Sequence, residues 1–272
     1  MSIITASGLV EVEKGELVNY SQYTNGKWKR ISGKLPDELL LSLFVDGQEL
    51  VSILCTPEKL NCLVIGYLLS EGFISNLDEI SMMRVCLDES LVEVRLSHQI
   101  EVTPARRILT SGCGGGTTFE QGTEIQPLNS DWCVSPSQVL SSIKLLQGKP
   151  GSDEISGGIR RGLHVSAISD GDKLIIRAED IGRHNTLDKI RGESILTGIP
   201  IKDRLLVTTG RISSEMLVKV AKMEVPVVAS LNSATRRAVT LGVELGITIV
   251  GYARGSNLSI FSGEERLQVT GS

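Results

Sequence analysis

The second half of the chain alternates short apolar runs with helical periodicity, and this alternation constrains the fold more than any other feature. Strand-like runs lie at 164–168, 173–177, 205–209, 227–230, 247–250 and 258–261, and helical patterns lie at 185–196, 214–223 and 234–245. The strand–helix–strand order over 205–250 predicts parallel strands joined by right-handed crossovers. Asp170-Gly171 is typical of a tight turn, so the runs 164–168 and 173–177 on either side of it are predicted to form an antiparallel hairpin before the parallel strands. We therefore expect an α/β fold with a mixed sheet.

The first half of the chain predicts a smaller α+β unit. Strand-like runs lie at 38–45, 48–55, 82–86 and 91–96, with the hairpin signal Asp46-Gly47 between the first two. A helix is predicted from an N-cap at Thr56, with Pro57 at the first helical position, to about Gly72. We expect a small N-terminal domain at 1–110, a glycine-rich loop at 111–134 and an α/β domain at 135–272.

Composition argues against several classes of protein. The formal net charge is −4, and no block rich in Lys and Arg stands out, so no nucleic-acid partner is expected. No apolar run reaches the ~18 residues that a membrane-spanning helix needs, so no membrane partner is expected. The first 20 residues carry three glutamates and no apolar segment, so they do not resemble a signal peptide. We therefore expect a cytoplasmic protein.

The five cysteines differ in their predicted burial and therefore in the expected reactivity of their thiols. An odd count without a Cys-x-x-Cys pair argues against a disulfide framework and a structural zinc site, so no metal is expected. Cys55, Cys62 and Cys86 fall in strand-like or helical runs and are predicted to be buried. Cys113 stands among four glycines at 110–118, which would leave its thiol accessible, and the thiolate is the reactive form. An incidental cysteine in a surface loop is the equally weighted alternative.

Polar loops follow three successive strands of the predicted sheet. Ligands of open parallel sheets bind beyond the carboxyl ends of the strands, and free N–H groups at helix starts attract anions. The candidate ligand-binding residues on these loops are Gly210, Arg211, Ser213, Asn232, Ser233, Tyr252 and Arg254. The alternative for each loop taken alone is ordinary helix capping or, for Arg254, a solvated arginine.

The stretch 179–189 concentrates further polar residues between a strand and a helix. Arg183, His184 and Asn185 bring a base, an imidazole and an amide into this one connection, beside the acidic Glu179 and Asp180. In the alternative interpretation, Asn185 caps the helix and Asp188 occupies its first turn, where negative charge is favoured. That alternative does not account for Asp180 together with Arg183 and His184.

These stretches together resemble the FdhD/NarQ family of formate dehydrogenase accessory proteins. The resemblance rests on 180–189, 210–216 and 251–255, and on Gly-Tyr-Leu-Leu-Ser-Glu-Gly at 66–72, and it extends over about 38–262. It implies a small N-terminal domain followed by a cytidine-deaminase-like, three-layer α/β/α domain without zinc ligands. It also implies a homodimer.

The same resemblance implies a sulfurtransferase role. Cys113 would accept persulfide sulfur from a cysteine desulfurase and pass it to the molybdenum of a bis-molybdopterin guanine dinucleotide cofactor. That cofactor would be bound as cargo before its insertion into formate dehydrogenase. The guanine nucleotide would be held by Arg183, His184 and Asn185 together with the residues of the three loops.

One departure from the family pattern leaves alternatives open. The family loop usually carries Cys-x-x-Cys, whereas Gly116 stands here in place of the second cysteine. A single thiol can still carry a persulfide, because transfer needs one attacking thiolate and one leaving sulfur. A non-catalytic chaperone that binds cofactor or apo-enzyme is the first alternative. A nucleotide hydrolase or deaminase is the second, although the missing metal ligands weigh against it.

Overall fold

The computed structural model describes residues 17–100, 108–109, 125–148 and 162–268. Cys113 and most of the predicted glycine-rich loop lie outside the described residues. The proposed domain limits at 110 and 134 therefore stay predictions. In the described part, no helix is both long enough and apolar enough to span a bilayer.

The described part of the chain begins with a two-stranded hairpin that was not predicted from the sequence. Strands β1 (Leu17–Thr24) and β2 (Lys27–Lys34) pair antiparallel around Asn25-Gly26, whose φ values are both positive. Asn-Gly is the strongest short-range hairpin signal, so the turn was readable. The strands were missed because they lack the alternation of apolar and polar residues that marks a half-buried strand.

The first half then forms a five-stranded sheet covered by one helix. Its strands are β3 (Leu39–Val45), β4 (Gln48–Cys55), β5 (Ile80–Cys86), β6 (Leu91–Leu96) and β7 (Ile108–Leu109), in the order β5-β6-β3-β4-β7. Helix α1 (Leu60–Glu71) packs on this sheet, and a short 3-10 helix, Leu77–Glu79, precedes β5. The predicted hairpin at Asp46-Gly47 is confirmed by the pairing of β3 with β4.

The second half forms a six-stranded sheet between layers of helices. Its strands are β8 (His164–Ser169), β9 (Leu174–Asp180), β10 (Leu205–Thr208), β11 (Val227–Ser230), β12 (Thr248–Arg254) and β13 (Asn257–Ser262). The order is β13-β12-β11-β10-β8-β9; β10, β11 and β12 run parallel, and the other neighbours pair antiparallel. The predicted mixed sheet, with its opening hairpin, is confirmed.

Alternating strand residues supply two apolar cores to this sheet. Helix α2 (Pro136–Gln147) covers one face through Val139, Ile143 and Leu146. Helices α3 (Arg183–Thr197), α4 (Ser214–Lys222) and α5 (Arg236–Glu244) cover the other. The three-layer α/β/α arrangement is therefore confirmed, and its N-terminal companion is the α+β unit described above.

Helix α1 begins later than predicted and is buried on all sides. It begins at Leu60 after Lys59, whose φ is +52°, so the predicted N-cap at Thr56 is wrong. The Thr56 hydroxyl instead bonds to Asp180 and Lys189 of the second half, which leaves it unavailable for capping. Eleven of the twelve helix residues are buried, because the sheet covers one side and α3 covers the other.

Helices α1 and α3 cross at glycines that allow backbone contact. A Cβ atom on Gly66 would lie 1.8 Å from the Asp188 carbonyl oxygen. A Cβ atom on Gly192 would lie 1.9 Å from the Cys62 carbonyl oxygen. No side chain fits at either position, so these glycines set the distance between the two halves of the molecule.

We expect Gly66→Ala to lower the free energy of unfolding by about 3 kcal/mol or more, because the backbones of α1 and α3 must separate. Gly242→Ala in α5 is the matched control. Its new Cβ would meet mainly the ends of the Ile249 and Ser262 side chains, which can move. The control should therefore cost less than about 1 kcal/mol, since alanine also favours the helix. Urea unfolding measures both; equal losses would contradict the tight crossing.

Candidate functional site

The predicted ligand residues gather at one edge of the six-stranded sheet. Strands β9, β10, β11 and β12 all point in one direction, so their carboxyl ends share that edge. Arg183 and His184 follow β9 and open α3. The loop 209–213 follows β10, the loop 231–235 follows β11, and Tyr252 and Arg254 lie at the end of β12.

Hydrogen bonds join the β10 and β11 loops into one surface. The Ser230 hydroxyl donates to the Gly210 carbonyl at 2.7 Å, and the Asn232 side-chain amide donates to the Thr209 carbonyl at 2.7 Å. The Ile212 amide donates to the Ser233 carbonyl at 3.1 Å. These bonds preorganise both loops, so little conformational entropy remains to be lost when a ligand binds there.

The β12 segment completes the surface on its far side. The Tyr252 amide donates to the Asn232 carbonyl at 3.0 Å, and Arg254 Nε donates to the Leu231 carbonyl at 3.2 Å. Tyr252 has a φ of +52°, a conformation that costs a non-glycine residue free energy, and its side chain is 54% exposed. The fold therefore holds an aromatic ring in a strained, solvent-facing position at this edge.

Two arginines, Arg183 after β9 and Arg211 after β10, place positive charge at this edge. Gly210 sits against Arg183, since a Cβ on Gly210 would lie 3.0 Å from the Arg183 Cβ. Burial, and then the charge of Arg211, lower the pKa of Arg183, whereas Glu215 raises it. Among the described residues, the buried Nε of Arg183 has no hydrogen-bond acceptor. This combination favours the binding of an anion, which would supply the missing acceptor and offset the repulsion.

His184 is the neutral member of the cluster. Its Nε2 lies 3.4 Å from the Ser213 hydroxyl and 3.4 Å from a Glu215 carboxylate oxygen. Burial, and then the positive charges of Lys219, Arg183 and His164, lower its pKa to about 3. The ring is therefore neutral at pH 7 despite the nearby carboxylate, so this contact is not an ion pair. With its proton on Nε2, the ring can donate a hydrogen bond but adds no charge.

The comparisons with known proteins agree with this architecture. The sequence profile of the FdhD/NarQ family matches residues 36–268. The sulfur carrier protein FdhD of Bacillus subtilis (strain 168) is 35% identical over 255 residues, covering 91% of this chain and 95% of that protein. Its namesake in Staphylococcus aureus (strain Newman) is 34% identical over 252 residues, covering 90% and 94%. The chain belongs to the FdhD/NarQ family.

A solved structure supports the same fold for this FdhD/NarQ chain. The crystal structure of a protein described as a formate dehydrogenase accessory protein, from Desulfotalea psychrophila, has a TM-score of 0.73 and 23% identity to it. The match covers 93% of this chain and 99% of that one. At that identity the likeness supports the fold alone.

The stretch 180–189 includes a buried cluster that was not predicted from the sequence. Asp180 and Lys189 are fully buried and pair at 2.6 Å. Lys189 also donates to the Thr56 hydroxyl at 2.7 Å, and that hydroxyl donates to Asp180 at 3.0 Å. Because Thr56 follows β4, the cluster joins the two halves of the molecule. The one available signal was that Asp180 remained unexplained by capping.

Asn185 belongs to this cluster as well. Its side-chain nitrogen donates to Asp180 at 2.7 Å and to the Leu54 carbonyl at 2.9 Å. The alternative that Asn185 caps α3 is wrong, because α3 begins at Arg183 with Gly182 as its N-cap. Asp188 likewise lies beyond the first turn, where it pairs with Lys219 at 2.5 Å. The ligand-binding role of Asn185 stays a prediction, and its described bonds are structural.

The described cysteines of this FdhD/NarQ chain differ sharply in environment. Cys55 and Cys62 are buried as predicted, and burial raises the pKa of each thiol to about 12. Cys86 is only partly buried, against prediction, and its sulfur accepts a bond from Arg84 Nε at 3.0 Å. Cys133 is also partly buried and donates to the Asp131 carbonyl. No group of three or more His, Cys, Asp or Glu in the described ranges is arranged to hold a metal ion.

We expect His184→Gln to weaken the acid sensitivity of the fold. Folded His184 stays neutral down to about pH 3, whereas in the unfolded chain it takes up a proton near pH 6.5. The wild-type protein therefore loses stability as the pH falls below 6.5, and glutamine abolishes that contribution. Between pH 7 and 5, the wild type should lose about 1–2 kcal/mol more than the variant in urea unfolding. Between pH 7 and 8 the free energies of unfolding of the two proteins should change equally with pH. If the two free energies changed equally down to pH 5 as well, the ring would take up its proton in the folded protein as it does in the unfolded chain, which would contradict the prediction.

Proposed function

We propose that this chain is a sulfur carrier that serves formate dehydrogenase. The observation that carries the proposal is that relatives named sulfur carrier protein FdhD align over about nine-tenths of this chain and of their own length. The charged edge of the six-stranded sheet would supply the binding surface that such a carrier needs for an anionic cargo.

The sulfur would travel on Cys113. Its thiolate would attack the outer sulfur of a persulfide on a cysteine desulfurase, and the desulfurase would leave as a thiolate. One S–S bond breaks as another forms, so the step needs no oxidant. Burial excludes Cys55 and Cys62 from this role, because thiols with pKa values of about 12 hold almost no thiolate at pH 7.

The cargo would be the bis-molybdopterin guanine dinucleotide cofactor, with sulfur delivered to its molybdenum. Arg183 and Arg211 would bind its phosphate oxygens, and the unpaired Nε of Arg183 would donate to one of them. The exposed ring of Tyr252 would stack on the guanine base. The loaded carrier would then act on formate dehydrogenase in the cytoplasm.

A chaperone without sulfur chemistry is the second candidate. The presence of Gly116 in place of a second loop cysteine favours it, because no vicinal thiol can resolve an intermediate. Such a chaperone would use the same charged edge for the cofactor and would leave Cys113 without a role. The two candidates therefore share their binding surface and differ at one sulfur atom.

We expect Arg211→Gln and Tyr252→Asn each to weaken the binding of guanosine diphosphate about tenfold in calorimetric titration. The first removes a charged donor, and the second removes the stacking ring; either contribution is worth roughly 1–3 kcal/mol. Asparagine tolerates positive φ, so Tyr252→Asn should not unfold the loop. Lys202→Gln is the control, because Lys202 lies before the amino end of β10, at the opposite edge. If both test variants bound guanosine diphosphate with unchanged affinity, the nucleotide would not bind at this edge of the sheet.

We expect sulfur loading to require Cys113. After incubation with a cysteine desulfurase and cysteine, mass spectrometry should show an added mass of about 32 Da on the Cys113 peptide. Cys113→Ala should abolish the adduct and fail to restore formate dehydrogenase activity in a strain lacking the native gene. Cys86→Ala and Cys133→Ala, the two partly buried thiols, are the matched controls and should behave as wild type. Full restoration by Cys113→Ala would favour the chaperone.

A further inference from the structure

A cleft lies between the last turns of α3 and α4, where the chain approaches the amino ends of β10 and β11. Its volume is about 360 Å³, within the range of roughly 300–1,000 Å³ that small-molecule sites have. Arg191 follows Arg183 by eight residues on α3, and Lys222 follows Ser213 by nine along α4. At about 1.5 Å per residue, the cleft is roughly 12 Å away from the charged edge along both helices. It is therefore a separate site.

Part of the cleft has an aliphatic lining. Ile195, Ile199, Pro200 and Met223 supply it. Ile195 is 42% exposed, although other apolar side chains of α3, such as Leu187, are buried in the core. Covering this aliphatic surface with an apolar group of a ligand is favourable, because it removes both surfaces from water.

Two cations lie beside the aliphatic lining. Arg191 donates to the Ser70 hydroxyl at 3.4 Å, and Lys222 donates to the Ser70 carbonyl at 2.6 Å, so both reach the same residue of α1. Burial lowers the pKa of Arg191, against the charge of Asp188. Burial also lowers the pKa of Lys222; Glu71 opposes that shift, and the charge of Arg191 adds to it. The two cations therefore repel each other, and an anion bound between them would offset the repulsion.

Capping of α1 accounts for Lys222 but not for Arg191. A basic group near the end of a helix stabilises its free carbonyl groups, and the bond from Lys222 to the Ser70 carbonyl does this. The guanidinium of Arg191 has several N–H donors. Within the described residues, its only hydrogen bond is the long one to the Ser70 hydroxyl, and it forms no ion pair. Its remaining donors can therefore bind a ligand.

The acidic groups near the cleft are already paired. Glu224 pairs with Lys202 at 2.8 Å at the rim, where both side chains are more than half exposed. Asp188 and Glu71 both pair with Lys219, at 2.5 and 3.7 Å. The positive charge of the two cations therefore remains for a ligand to neutralise.

We propose that this cleft binds a carboxylate that carries an aliphatic group. The carboxylate lies between Arg191 and Lys222, since a guanidinium matches a carboxylate in geometry as well as in charge. The aliphatic group lies against Ile195, Ile199 and Met223. This chemistry occurs in free aliphatic carboxylic acids and in acidic residues that neighbour aliphatic ones in a partner protein. The proposal depends neither on sulfur transfer nor on nucleotide binding, so each can fail without the others.

Methyl NMR spectroscopy tests the proposal, because Met223 lines the cleft and its methyl signal, assigned with Met223→Leu, reports even weak binding. Titration with isocaproate should shift this signal to saturation. The signal of Met216, about 10 Å away near the start of α4, should stay unchanged. Isocaproamide lacks the charge and acetate lacks the aliphatic group, so each should bind at least about tenfold more weakly.

Two variants separate the charged part of the cleft from its aliphatic part. Arg191→Gln should weaken isocaproate binding about tenfold and remove the advantage of isocaproate over isocaproamide. Ile195→Ser, at an exposed position that tolerates the change, should weaken isocaproate binding and leave acetate binding unchanged. Lys144→Gln is the control, because Lys144 is an exposed base on α2, at the other face of the sheet.

The peptide acetyl-Leu-Glu-Leu-amide identifies the source of the carboxylate. If it binds more tightly than isocaproate, the site takes an acidic segment of a partner protein; if it binds more weakly, the site takes a free carboxylic acid. The counterpart with glutamine in place of glutamate should bind about tenfold more weakly than the glutamate peptide.

Four results would each overturn the proposal. The first is the absence of a saturable Met223 shift with both isocaproate and the glutamate peptide. The second is equal affinity for isocaproate and isocaproamide. The third is displacement of isocaproate by guanosine diphosphate, which would place both ligands in one site. The fourth is binding of inorganic phosphate as tight as that of isocaproate, because phosphate makes no use of the aliphatic lining.

Discussion

The buried ion pair between Asp180 and Lys189 is the interaction on which the arrangement of this molecule depends. Five donors surround the Asp180 carboxylate: the amide and hydroxyl of Thr56, the amide of Gly182, the side chain of Asn185 and the ammonium of Lys189. Two of those donors belong to the first half of the chain and three to the second. A buried charge is tolerated only when it is paired and hydrogen-bonded, so the two halves must meet with these groups in register.

The tight crossing of α1 and α3 gives that register its rigidity. Gly66 and Gly192 let the backbones touch, and ion pairs tie the helices at both ends: Lys59 to Glu193, and Lys219 to both Asp188 and Glu71. Arg183 and His184 begin α3 only three residues after Asp180. The contact of α3 with the first half therefore helps to fix the residues at the edge of the sheet where an anion would bind.

Local signals in the sequence were enough to predict most strands and helices and the edge of the sheet where the polar loops lie. The wrong predictions, which concern helix caps, arise from tertiary contacts. The β10–β12 segments were readable because buried parallel strands form continuous apolar runs. Thr56 and Asn185 were predicted to cap helices because both residue types often do so. Their side chains instead form hydrogen bonds with residues more than 120 positions away in the sequence. No local rule could show that. The hairpin was missed for a different reason: its stability does not come from its own core, so no burial pattern marks it.

The Asp180 cluster also bears on how the chain reaches its native state. The polar groups of this cluster that belong to one half cannot lose their water while the halves are apart. Some of the hydrogen-bond partners that replace this water come from the other half. Strand pairing and helix formation can proceed separately, but dehydration of the cluster must wait until α1 and α3 are in contact. The docking of two nearly formed halves is then the last cooperative event, and a chain interrupted between 100 and 162 would have to perform it as a bimolecular reaction.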